Sequence, residues 1–219
     1  MKEEEIIEKF EIDIDKLKNE QLKLASQLDF KDLISLDSIG LIGAFENLII
    51  KNKIISAVIV CNKNFEIIEE QYYLTKLTFP YLFEFRSYRE LPAMIGAYNK
   101  LQNRPDVFLI PGNGLIHPRL GLASHFSLVS GIPSIGVSSF NFDNQEVKGD
   151  NVFRNEKIIG KVLKTKEKSN PLFISSGNKV DLESCYAFCS SLIVAPHKLP
   201  EPMHLAHKYS KSVKKELGL

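Results

Sequence analysis

The sequence has little cysteine, no excess of charge of either sign and no long apolar run, and each shortage closes off a class of protein. Its three cysteines, Cys61, Cys185 and Cys189, are too few and too scattered for a disulfide framework or a zinc site. Cys185 and Cys189 lie four apart on one predicted helix face, where side chains are badly aimed for a disulfide, so both are expected to be small core residues. Nowhere do uncharged apolar residues run far enough to span a bilayer, and the N-terminal stretch MKEEEIIEKFEIDIDKLKNEQ is too acidic for a secretory signal. A cytoplasmic protein with no membrane partner is expected. The formal charge of +1 excludes the strongly basic class of nucleic-acid binders. It does not exclude a local basic groove. Lys208, Lys211, Lys214 and Lys215 form one basic cluster, which a solvated face of a terminal helix explains equally well. Linkers, low-complexity tracts and internal repeats are also missing, so residues 1–219 are expected to form a single domain.

What is present reads as alternating strands and helices. Ile14, Leu17, Leu24 and Leu28 recur at helical spacing among Lys, Glu and Gln, predicting an amphipathic helix over 12–28. Segments 39–46, 55–62 and 65–76 are separated by short polar turns and predict an antiparallel meander, with Lys63-Asn64 as a tight hairpin. Leu91, Met94, Ile95, Tyr98 and Leu101 predict a helix over 87–102. A strand at 106–110, a helix at 120–130 ended by Gly131 and a strand at 132–137 make a β-α-β unit with parallel strands. Strands follow at 157–164 and 171–175 around the turn KEKSNP, then helices at 181–193 and 202–217. The expected fold is α/β: three layers, α/β/α, over a mixed central sheet.

One further absence bears on chemistry. Val107, Phe108, Leu109 and Ile110 form an apolar run that stops at the loop PGNGLIHPRLGLASH, residues 111–125. A strand that ends in a Gly-x-Gly turn is where α/β enzymes place a carboxylate, and here the position holds Pro111. His125 sits among Leu, Ala and Phe and is expected to be a core histidine.

The stretches TFPYLFEFRSYRELP (78–92), RPDVFLIPGNGLIHPRLGLASH (104–125), GIPSIGVSS (131–139), PLFISSGNKVDLES (171–184) and LPEPMHLAHKY (199–209) together resemble the endonuclease V family, over nearly the whole chain and in the same order. The resemblance implies a ribonuclease H-like fold and Mg²⁺-assisted hydrolysis of the second phosphodiester 3′ to inosine. It also implies a carboxylate set. Glu90 matches the family's Glu, His207 its C-terminal position and His117 a His after the glycine loop. Glu46 takes the place of the first-strand Asp when residues 47–55 are aligned without a gap. The Asp of the family's DG-x-G loop is Pro111, and the expected Lys after IGV is Ser139. Asn178 stands where many relatives have His. Hard Mg²⁺ needs oxygen ligands from several strands, so these departures predict weakened or lost cleavage. Glu46, Glu90 and His207 remain as a candidate metal set, with Mn²⁺ as an ion tolerant of nitrogen.

Binding features match the family more fully. Pro80, Tyr81 and Leu82 correspond to its wedge, with Tyr81 as the ring that can fill the gap left by a flipped base. Gly112 and Gly114 are expected to contact such a base through main-chain groups, and Arg89 and Arg119 to contact phosphates. The resemblance thus implies a monomer that binds DNA or RNA containing inosine or distorted structure. An active nuclease, and a structural or protein-interaction role, are the alternatives.

Overall fold

The computed structural model describes residues 3–33, 35–140, 142, 145–167 and 169–219. Runs rich in Ile and Val build its centre, as branched side chains favour a pleated, buried surface. Strands β1 (Leu41–Ile50), β2 (Lys53–Asn62) and β3 (Ile67–Lys76) form the expected antiparallel meander. The β1–β2 pairing is unbroken from Leu41 opposite Asn62 to Ile50 opposite Lys53. Residues 47–55 therefore hold two strand ends and a tight turn, and Glu46 lies opposite Ala57. Strand β1 runs past the expected end at 46 because β2 stays in register to the turn at Lys51-Asn52.

The parallel unit is also present: β4 (Val107–Pro111), a helix over Leu122–Ser130 and β5 (Ser134–Ser138), with β4 parallel to both β1 and β5. Gly131 closes that helix in the left-handed conformation, φ 79°, and donates to Ser127 O. The short strands β6 (Glu146–Lys148) and β7 (Asn151–Arg154) have no counterpart in the sequence-based expectation. Strands β8 (Lys157–Leu163) and β9 (Leu172–Asn178) do. All nine join one mixed sheet in the order β3-β2-β1-β4-β5-β9-β8-β7-β6.

Six helices occur among the described residues: α1 (Glu3–Lys9), α2 (Ile14–Ala25), α3 (Arg86–Tyr98), α4 (Leu122–Ser130), α5 (Leu182–Ser191) and α6 (Glu201–Glu216). Helices α5 and α6 pack on one face, over a core with Ile42, Ala44, Leu109, Val137, Cys185 and Cys189. Helices α3 and α4 cover the other, where Phe45, Phe108 and Phe126 meet edge-on or tilted at 5.0–5.2 Å between centroids. These layers are the three expected. Both helical cysteines are buried and unbridged, and Asp181 caps α5 by accepting from the N–H groups of Glu183 and Ser184. No helix among the described residues is long and apolar enough to cross a membrane.

The loop between β4 and α4 is fastened from several sides. Gly114 donates its N–H to Ser175 Oγ at 2.9 Å, and a side chain there would drive into the Ser176 backbone carbonyl. His117 is 7% exposed; its Nδ1 accepts from the Arg119 N–H at 3.1 Å, so Nε2 carries the proton and donates to Glu84 O at 3.0 Å. Burial, helped by Arg119, pushes this imidazole down to about 4, and burial alone takes His125 to about 4.

Two outcomes are expected. Gly114→Ala should lower the thermal midpoint by several degrees, about 2 kcal/mol or more for a forced backbone shift, whereas Gly149→Ala, with nothing within 4 Å but φ +60°, should lower it less. For the histidines, an unfolded imidazole titrates at about 6.5, above the folded value, so the unfolded chain takes up protons first. Their contribution to stability is therefore complete above pH 6.5 and lost as pH falls towards 4. Urea midpoints should drop across that window, and His117→Gln, which can reproduce both hydrogen bonds, should flatten the drop; an unchanged slope would count against this account.

Candidate active site

Strand alternation and register decide which side chains can meet at the ends of β1, β4 and β5. Ala44 pairs with Leu109 across β1 and β4, and both face α6. Two residues farther along each strand, with a period of two, Glu46 and Pro111 come to the same face. Pro111 pairs in turn with Val137 of β5, and Ser139 follows two residues later. Glu46, Pro111 and Ser139 accordingly line one cavity of about 230 Å³, with Arg86, Lys198 and Met203. Position 111 thus stands beside Glu46 at the ends of neighbouring strands.

The two retained acids are held by different partners. Glu46 Oε1 lies 3.1 Å from His207 Nδ1; since a carboxylate only accepts, Nδ1 carries the proton. Asn47, one residue on, points to the opposite face, where Glu90 lies beneath α3. There Glu90 accepts from Arg86 Nε at 2.8 Å, Arg86 Nη2 at 3.1 Å and Asn47 Nδ2 at 2.9 Å. Both its oxygens are taken. Among the described residues the one group of three potential ligands with donor atoms within 4.8 Å of one another is His197, Glu201 and His204. Glu46, Glu90 and His207, expected to hold a metal together, do not form such a group. The His197 cluster, though close-set, is not aimed at an ion as it stands. Its two histidine rings stack at 3.6 Å, so their in-plane lone pairs do not converge on one point. The arrangement at β1 and β4 does not fit a divalent ion: one acid is paired to a guanidinium, one to an imidazole, and the third position is proline.

Other expected site residues have partners within the fold. His117, expected to act in catalysis, is the buried neutral clamp described above. Arg119, expected on a phosphate, donates from Nε to Gln21 Oε1 at 2.7 Å and pairs through Nη2 with Glu84. Gln21, buried in α2, also donates to Glu84 O, so this network ties α2, the wedge turn and the glycine loop together. Arg89 Nη1 donates to Phe79 O at 2.8 Å, and its Nε is buried. Gly112 N–H donates to Ile110 O and Val137 O. With Gly114 tied to Ser175, neither glycine has a free donor for a base. Leu82 is 1% exposed and belongs to the core. Pro80 is half-buried.

Tyr81, expected to act as a wedge, is 54% exposed on the turn before α3. Phe83, next on that turn, packs with Phe140 at 5.2 Å and Phe142 at 5.0 Å. Behind this cluster, between Phe83, Asn113, His117 and Leu122, a space of only about 10 Å³ remains, room for one water.

Two residues in the large cavity escaped the sequence reading. Arg86 carried a legible signal, since Arg and Glu four apart on a helix pair readily. Lys198 stands immediately before the LPEP motif and has no hydrogen-bond or ion-pair partner among the described residues. It returns a cation to the cavity where Ser139 lacks one.

The Endonuclease V family pattern matches residues 22–208. Endonuclease V of Thermosipho melanesiensis is 33% identical over 207 residues, 90% of each chain, and that of Clostridium acetobutylicum 36% identical over 165 residues, 70% of each. In three dimensions the Bacillus subtilis Endonuclease V superposes with a TM-score of 0.85 at 26% identity, over 95% of both chains. A Ciona intestinalis Endonuclease V, solved with a 24mer DNA containing an inosine followed by a ribo-adenosine, reaches 0.85 at 24% identity, over 93% of this chain and 98% of its own. The family generally uses a divalent metal, and this chain is a member of the endonuclease V family.

Proposed function

We propose that this protein binds inosine-containing or otherwise distorted DNA or RNA, and that its phosphodiester cleavage is weakened or lost. The observation that carries the second half is the pairing at β1 and β4. Proline occupies the place of an acid beside Glu46, and Glu90 is neutralised by Arg86. A metal-assisted hydrolysis needs its carboxylates free to gather an ion, the attacking water and the leaving oxygen. The first half rests on family membership and on Tyr81, an exposed ring on the wedge turn able to stack on bases. A whole base does not fit the 10 Å³ space behind Phe83, so full insertion requires that ring to leave its aromatic cluster.

The second reading, a working nuclease, is favoured by one observation: the Glu46–His207 pair still opens onto a cavity large enough for a phosphate group.

Binding and cleavage separate the two. An inosine-containing single strand should bind more tightly than its adenosine counterpart, with affinity falling as salt rises. The strand should stay intact through long incubation with Mg²⁺ or Mn²⁺ at high protein concentration. Equal affinity for the two strands would remove the recognition reading; nicking that disappears in Glu90→Ala would establish the nuclease.

A further inference from the structure

Glu90 is 4% exposed at its side chain, and a carboxylate so deeply placed needs a cation or a full set of donors. In a metal-dependent site the ion would meet that need. Here a guanidinium does. Arg86 forks onto Glu90 through Nε and Nη2, and Nη2 also lies 3.4 Å from the carbonyl oxygen of Pro111. It therefore stands between the buried acid of α3 and the end of β4, against the Phe140 ring at 5.9 Å. Its position in the chain makes the placement informative. Arg86 is the first residue of α3, and a cation there opposes the helix dipole. A residue that breaks a local rule and bridges two parts of a site is accounted for by the site.

We propose that Arg86 is a built-in cation. Its guanidinium takes the place of a divalent ion between Glu90 and the end of β4, so that the cavity excludes metal and accepts a phosphodiester oxygen without one. Arg86 uses one edge of its fork on Glu90 and lines the cavity with Lys198, whose ammonium has no partner of its own among the described residues. Two cations and one free-facing acid, Glu46, already held by His207, make this lining compatible with an anion in the absence of any ion. The anion half of the proposal rests on the nucleic-acid reading above. The exclusion of metal does not.

The test keeps these halves apart. Mn²⁺ is titrated calorimetrically into the full-length protein, with every form carrying His204→Ala to remove the cluster on α6. The parent should show no saturable site; Arg86→Met should gain one, and Arg86→Met/Pro111→Asp should bind about tenfold tighter or more, as a second carboxylate ligand joins. Arg86→Lys, which keeps the charge, should still exclude the ion. Arg86→Gln retains a donor to Glu90 and replaces Arg86→Met if that variant does not fold. Saturable Mn²⁺ binding by the parent equal to that of the neutral variants, or no gain in any folded neutral variant, overturns the proposal. In the second arm, a labelled inosine-containing strand should bind equally with and without EDTA, and Arg86→Gln and Lys198→Met should each weaken it by about tenfold. EDTA-sensitive binding, or binding unchanged in both variants, overturns the anion seat. A parent that binds no strand at all defeats the nucleic-acid reading and the anion seat together, while the Mn²⁺ titration still decides what Arg86 does.

Discussion

A buried carboxylate sets the terms for the rest of the site. Glu90 hangs from α3 toward the sheet, and its charge cannot remain there unpaired without a penalty of several kcal/mol. Arg86 and Asn47 meet that requirement from two directions, one along the helix and one from β1. Satisfying Glu90 fixes more than an ion pair. It holds the first turn of α3 against the end of β4, since the same guanidinium reaches the Pro111 carbonyl. It also places the Arg86 side chain as the common wall of the large cavity and the small space behind Phe83.

A second network gives that wall something rigid to lean on. Glu84 O accepts from both Gln21 and His117, and Arg119 closes the circuit through Gln21 and the Glu84 carboxylate. Arg154 adds donors to the carbonyls of His117 and Leu115. Each of these polar groups lies in a part-buried setting where an unmade hydrogen bond is expensive, so the network is all-or-nothing in character. The wedge turn and the glycine loop consequently behave as one unit with α2. Tyr81 projects from this unit, and Phe83 closes it.

The layers and their order were legible from periodicity because the central segments are long and rich in branched apolar residues. Strands β6 and β7 were not: they are three and four residues long, and β6 is exposed throughout. The site was legible only where it depends on position along a strand. The place of Pro111 at the end of β4 could be read, since it follows from where the apolar run stops. The roles of His117 and Arg119 could not. Arg119 finds Gln21 across 98 residues and Glu84 across 35, and no local pattern carries that information. The partners of the Gly112 and Gly114 N–H groups were not legible for the same reason, because Val137 and Ser175 reach them from distant strands.

The face on which each acid lies explains which partner it takes. Glu46 reaches His207 on α6, whereas Glu90 stems from α3. Acids on opposite sides of a strand end are drawn together only by something placed between them. A carboxylate at 111 could contribute to such a centre; a proline cannot, and its backbone carbonyl is what remains to offer. Each acid then takes the nearest partner its own face supplies, His207 on α6 for Glu46 and Arg86 on α3 for Glu90. Proline at 111 and arginine at 86 are thus mutually consistent: the first adds no negative charge at the end of β4, and the second supplies the charge that Glu90 requires.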